Sequence, residues 1–135
     1  MMEKATKTIR QKVVLHAKPM DVYEAYVDAK KQTAFTGSKA TSNPKVGGRF
    51  TAWDGYITGK YLELEPGKKI VQEWTSSDFP EGSTASRFEI DLKEKEGGTE
   101  LSIVHSGVPP EIANDIAQGW KDFYWEPMKK YFKGD

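Results

Sequence analysis

Residues able to do chemistry are few and scattered. The two histidines, His16 and His105, fall in separate strand-like segments with no sequence link between them. There is no cysteine, which removes thiolate ligands, thiol nucleophiles and disulfides together and leaves no metal-ligand set with recognisable spacing. No G-x-S-x-G elbow presents a serine. Gly47-Gly48 leads into a strand with no G-K-[ST] after it, so it is no phosphate loop. Glu94 and Glu96 flank a hairpin turn, where carboxylates are solvated, and Asp54 opens a turn, where aspartate bonds its own backbone. An enzymatic reading would have to use His105 or Asp54 as acid or base. The expectation is no catalytic residue, no metal and no cofactor.

What the sequence offers instead is aromatic surface. Trp53, Tyr56, Tyr61, Trp74, Phe88, Trp120, Phe123, Tyr124 and Tyr131 fall where a sheet and a helix would meet. They form either an ordinary core or the wall of a partly open apolar cavity, and small-molecule pockets are largely apolar with a few polar groups. Alternation puts Gln11, Gln72 and His105 on strand faces that are otherwise apolar. They are the polar groups expected to orient a ligand. The cavity candidates are therefore Gln11, Trp53, Tyr61, Gln72, Trp74, Phe88, His105, Ile116, Trp120, Phe123 and Tyr124.

The elements that must position these side chains follow from periodicity. Thr6 to Leu15 alternates as a half-buried strand, with Ile9, Gln11, Val13 and Leu15 on one face. Lys18-Pro19-Met20 opens a helix, since proline suits the first turn, and two short helices are expected at about 19–28 and 30–35, broken near Asp28. Residues 36–48 read as a loop rich in Gly, Ser, Thr and Asn. Five strands follow, at 49–53, 56–65, 69–75, 84–93 and 99–106. The connections between them carry Asp54-Gly55, Pro66-Gly67, Pro80 with Gly82, and Gly97-Gly98.

The chain closes on one helix from Val108 to Phe132, with carboxylates in its first turn and lysines near its end to suit the dipole, and Gly134 as the stop. Ile112, Ile116, Trp120, Phe123, Pro127 and Tyr131 form its apolar stripe, and Gly119 within that stripe allows close approach to the sheet. Trp125, Met128 and Phe132 fall outside it. Either Pro127 bends them inward or they are exposed as a partner surface. The expected fold is α+β: a curved six-stranded antiparallel sheet around a long C-terminal helix, with two short helices after the first strand, in a single domain over 1–135.

Composition narrows the function classes. Net charge is zero, but residues 1–50 hold ten Lys/Arg against four Asp/Glu, and residues 51–135 hold ten against sixteen. That asymmetry suits an acidic partner if the halves do not interleave. No basic stripe is interleaved with aromatics, so nucleic-acid binding is not expected. No apolar run approaches the ~20 residues of a membrane span, the charged N-terminus has no signal-peptide core, and a cytoplasmic protein is the expectation.

Five stretches in register resemble one family: A-K-P-M-D-V-Y-E-A-Y-V-D (Ala17–Asp28), V-G-G-R-F-T-A-W-D-G-Y-I-T-G (Val46–Gly59), L-E-L-E-P-G-K-K-I-V-Q-E-W (Leu62–Trp74), G-G-T-E-L-S-I-V-H-S-G-V-P (Gly97–Pro109) and G-W-K-D-F-Y-W-E-P-M-K-K-Y-F (Gly119–Phe132). Together with the element order they resemble the helix-grip fold of the START-like (SRPBCC) superfamily. Within it they resemble the C-terminal domain of the activator of heat-shock protein 90 ATPase. The resemblance implies a cavity between sheet and helix. Members bind hydrophobic ligands, and some branches catalyse cyclisation or hydration there. The leading expectation is a non-catalytic protein for a small hydrophobic molecule. A chaperone-regulating or other interaction module, with homodimerisation possible, is the alternative, and a cyclase- or hydratase-like enzyme the second.

Overall fold

A computed structural model describes residues 6–133. The chain runs β1 (Lys7–Leu15), α1 (Pro19–Val27), α2 (Ala29–Thr36), β2 (Thr41–Ser42), β3 (Arg49–Ala52), β4 (Ile57–Glu65), β5 (Lys69–Ser76), β6 (Ser86–Lys95), β7 (Gly98–Val108), α3 (Ala113–Trp120), a π-helical turn (Lys121–Trp125) and α4 (Glu126–Lys133). All strands join one antiparallel sheet in the order β1-β7-β6-β5-β4-β3-β2. This is the α+β helix-grip architecture expected, with one correction: the sheet has seven strands, not six. The extra strand is a two-residue edge inside the 36–48 loop, where Thr41 pairs with Thr51 and Ser42 with Phe50. Two residues are too few to show an alternation.

Proline at the start of α1 and Asp28 between α1 and α2 act as the sequence suggests. Asp28 ends α1 in extended backbone and caps α2, its carboxylate accepting from Lys31 N at 3.1 Å. Two irregularities bend the sheet. One lies between Tyr61 and Glu63 in β4. The other lies where β1 meets β7 near Gly107, whose φ of 74° suits only glycine comfortably. The concave face carries Ile70, Gln72, Trp74, Phe88, Ile90, Leu101, Ile103 and His105, all buried. The opposite face carries charges such as Lys69, which lies 3.5 Å from Glu63 and 3.6 Å from Glu89.

The closing helix differs most from its expected form. It begins at Ala113, after a tight turn in which Ile112 N bonds Pro109 O, not at Val108. The expected stop at Gly134 lies outside the described residues. Within it, Glu126 N–H reaches back five residues to Lys121 O, the signature of a π turn. The turn immediately precedes Pro127, which has no N–H to give and would crowd a regular α-helical ladder. One extra residue in a turn sets back the phase of everything after it by about 100°. Trp125 and Met128 therefore point inward, at 3% and 0% relative exposure, and Phe132 packs half-buried against the core. Phe123 and Tyr131, expected on the core stripe, are turned out instead, with Phe123 54% exposed.

Gly59 in β4 is the tightest site in the sheet. A Cβ there would collide with the Glu73 carbonyl and sit 2.7 Å from Phe50 Cε1. Gly59→Ala is expected to lower unfolding stability by about 3 kcal/mol or more, measured by urea titration of the two proteins side by side.

Candidate functional site: an aromatic cleft under the closing helix

Sheet and helix do not close completely. A cleft of about 350 Å³ opens between the ends of β4 and β5, the turns that follow β3 and β5, and the segment from Ile112 to Tyr124. Its walls are Trp53, Ile57, Trp74, Ile112, Ile116, Trp120, Phe123 and Tyr124, and its polar groups are Tyr56, Ser76, Asp78 and Asp115. The volume lies at the lower end of the ~300–1,000 Å³ typical of small-molecule sites.

Six of the eleven residues expected in a cavity line it: Trp53, Trp74, Ile116, Trp120, Phe123 and Tyr124. The other five lie elsewhere in the interior, and each polar one is engaged by the protein itself. Gln11 donates to Ala117 O at 2.8 Å and accepts from Trp125 Nε1 at 2.7 Å, which ties β1 to the helix. Gln72 accepts from the Tyr26 hydroxyl at 3.1 Å. Tyr61 packs on Phe50 and bonds Ser42 at 2.7 Å, and burial pushes its phenol up to about 12. Phe88 stacks on Trp120, with centroids 4.2 Å apart and planes within 6°. Of the partner-surface candidates, Trp125 and Met128 are core residues, for the phase reason given above.

His105 is fully buried and bonded at both ring nitrogens. Trp120 Nε1–H donates to Nδ1 at 3.1 Å, so the ring proton sits on Nε2 and donates to Ser86 Oγ at 2.8 Å. Ser86 in turn donates to Trp74 O at 2.7 Å. Burial holds the imidazole down at about 3, so it is a neutral structural bridge. Neither His105 nor Asp54 lines the cleft, and among the described residues no group of three or more His, Asp or Glu could hold a metal.

The polar residues that do line the cleft come from turns, from the end of β5 (Ser76) and from α3 (Asp115). Tyr56 follows a turn in which Trp53, Asp54 and Gly55 all have positive φ, at 53°, 57° and 91°. A tryptophan in the left-handed region is costly by itself, and here its indole N–H is fixed on Tyr124 Oη at 3.1 Å. Tyr56 donates to the Asp78 carboxylate. Burial, together with the neighbouring Asp78 and Asp115, raises the Tyr56 phenol above its ordinary value. Alternation could not reveal Asp78 or Asp115, because neither is on a strand; Tyr56 was expected in the aromatic surface but not among the cavity candidates.

Gly119 also lines the cleft. A Cβ there would meet nothing closer than Phe123 Cδ2 at 3.7 Å. The expected role, close approach of helix to sheet, is thus not what the glycine serves. A longer side chain there would take up space in the cleft.

A model of the family described as Activator of Hsp90 ATPase homolog 1-like protein matches residues 16–133. The chain is 33% identical over 130 residues to an activator of 90 kDa heat shock protein ATPase homolog from Dictyostelium discoideum, covering 94% of this chain and 33% of that protein. It is 32% identical over 114 residues to activator of 90 kDa heat shock protein ATPase homolog 1 from Homo sapiens, covering 84% of this chain and 33% of that one. The chain thus spans about a third of the length of these relatives. The crystal structure of an HSP90 activator from Plasmodium falciparum superposes with a TM-score of 0.78 at 25% identity, covering 90% of this chain and 91% of that chain.

The buried bridge generates a prediction about pH. An exposed imidazole titrates near ~6.5, and in the fold His105 titrates at about 3. Between those values the unfolded chain holds a proton that the folded chain does not, so stability falls as pH is lowered through that window. From about pH 7 to about pH 5 the protein is expected to lose about 2 kcal/mol more than its His105→Gln variant. Urea midpoints for both proteins at the two pH values measure the difference, and equal losses would refute the assignment.

Proposed function

The chain belongs to the Activator of Hsp90 ATPase homolog 1-like family, and from that premise we propose that it is a non-catalytic regulator of an Hsp90-class chaperone. The observation that carries this reading is the match over residues 16–133, which takes in every element from α1 to α4. The HSP90 activator from Plasmodium falciparum, superposed over nine-tenths of both chains, supports it. On this reading the protein works in the cytoplasm beside its chaperone. The protein-binding surface is one other than Trp125 and Met128, which are buried. Steady-state ATPase assays of the host's own Hsp90-class chaperone, with this protein added up to stoichiometric excess, test the proposal. Turnover is expected to rise and to saturate. An unchanged rate together with no complex by sedimentation overturns it.

A second reading is favoured by one specific observation, the aromatic cleft with a glycine where packing does not require one. On this reading the cleft binds a small, largely apolar molecule. Glycine in a helix costs about 0.5–1 kcal/mol relative to alanine. Gly119→Ala is therefore expected to raise unfolding stability by about that amount. Gly119→Leu fills the cleft and is expected to weaken apolar ligands by about tenfold or more. Tryptophan fluorescence titration with such ligands, alongside urea unfolding of both variants, separates the two effects. A leucine variant that binds as well as the parent protein refutes the cleft as the site.

A further inference from the structure

The cleft has a one-sided chemistry. Its mouth, where the lining is exposed, carries two carboxylates, Asp78 and Asp115, which both act on Tyr56: Tyr56 donates to Asp78, and its phenol feels the Asp115 charge. No lysine, arginine or histidine is among the lining residues, whereas six lining residues are aromatic. Aromatic rings present negative faces and attract cations that come within about 6 Å of them, most strongly when the cation is desolvated. A carboxylate has about four acceptor positions, so the bond from Tyr56 leaves Asp78 able to accept others. An apolar ligand bearing a negative group would meet repulsion from both carboxylates and from the ring faces. A neutral one would gain nothing from the two carboxylates.

We propose that the cleft takes an amphiphile with an apolar body and a single ammonium group, the body lying between Trp74, Ile116 and Trp120 and the cation held at the mouth by Asp78, Asp115 and the Tyr56 and Phe123 rings. This rests on the second reading above, in which the cleft binds a small apolar molecule. The exposure of Phe123, which the π turn directs out of the core, acquires a role here: its ring stands edge-on to Trp53 at 5.4 Å and completes the aromatic wall at the surface.

The test uses three probes with the same alkyl chain, octylamine, octanol and octanoate, titrated into the full chain at neutral pH and low salt. Binding is followed by tryptophan fluorescence and by amide shifts of residues around the cleft. Octylamine is expected to bind about tenfold more tightly than octanol, with octanoate weakest, and added salt is expected to narrow the gap. In the Asp78→Asn/Asp115→Asn protein, octylamine falls to the level of octanol. Asp115 is exposed, so Asp115→Asn alone gives a reading even where the double variant does not fold; it is expected to cost octylamine about threefold. Equal binding of all three probes leaves the apolar cleft standing and overturns the ammonium inference, as does tightest binding of octanoate. No binding of any probe overturns both.

Discussion

The indole of Trp120 is the joint on which helix and sheet depend. One face stacks on Phe88 of β6 at 4.2 Å, and Trp125 stacks nearly parallel at 5.5 Å. Its N–H is anchored on His105 of β7, and through His105 and Ser86 on the backbone of Trp74 in β5. A single side chain thereby registers the helix against three adjacent strands. Dispersion and burial supply the strength, and removing a tryptophan of this kind costs about 3–5 kcal/mol. The hydrogen-bond chain supplies the angle. It also explains why a polar group, His105, can sit at full burial without penalty: each of its nitrogens has a partner. Among the described residues no buried side-chain polar atom lacks one.

Much of the fold was legible in the sequence because strands alternate and turns announce themselves. Asp28 broke the first helix and then capped the second, and Asp54-Gly55 lies in the turn between β3 and β4. The edge pair Thr41–Ser42 was not legible, being shorter than any period. The direction of the closing helix past Lys121 was not legible either. A helical wheel assumes a constant angle per residue, and the π turn violates that assumption within five residues. The wheel therefore put Phe123 and Tyr131 inside and Trp125 and Met128 outside. The proline at 127 was a visible sign of disturbance, but it does not state whether the helix will kink or take in a residue.

The site was half legible for a different reason. Aromatic residues reveal themselves by size and position, and Trp53, Trp74, Trp120, Phe123 and Tyr124 were all placed at the sheet–helix boundary where the cleft lies. Polar residues on an apolar strand face do not reveal whether they face a ligand or each other. Gln11, Gln72 and His105 proved to fasten elements of the protein together. The polar groups free to meet a ligand sit on turns, at the end of β5 and on α3, where composition is polar anyway and a functional side chain has no contrast against its background. Gly119 shows the converse. Its meaning emerged only when the space around its missing side chain could be inspected.

The π turn has a consequence for how such chains change over time. It amounts to one residue more than a regular helix needs, and it sits where the helix passes from the cleft to its free end. Loss of a single codon within 121–125 would remove that extra residue and leave a regular α-helix, with α4 still turning its present face to the core. Met128 and Phe132 would then take the positions that a regular wheel assigns to 127 and 131, and would stay inward. The residues before the turn, including Trp120, would hardly move. The π turn is in this sense one added residue absorbed on the spot: the half of the helix that faces the cleft and the half that packs through Met128 keep their places with or without it.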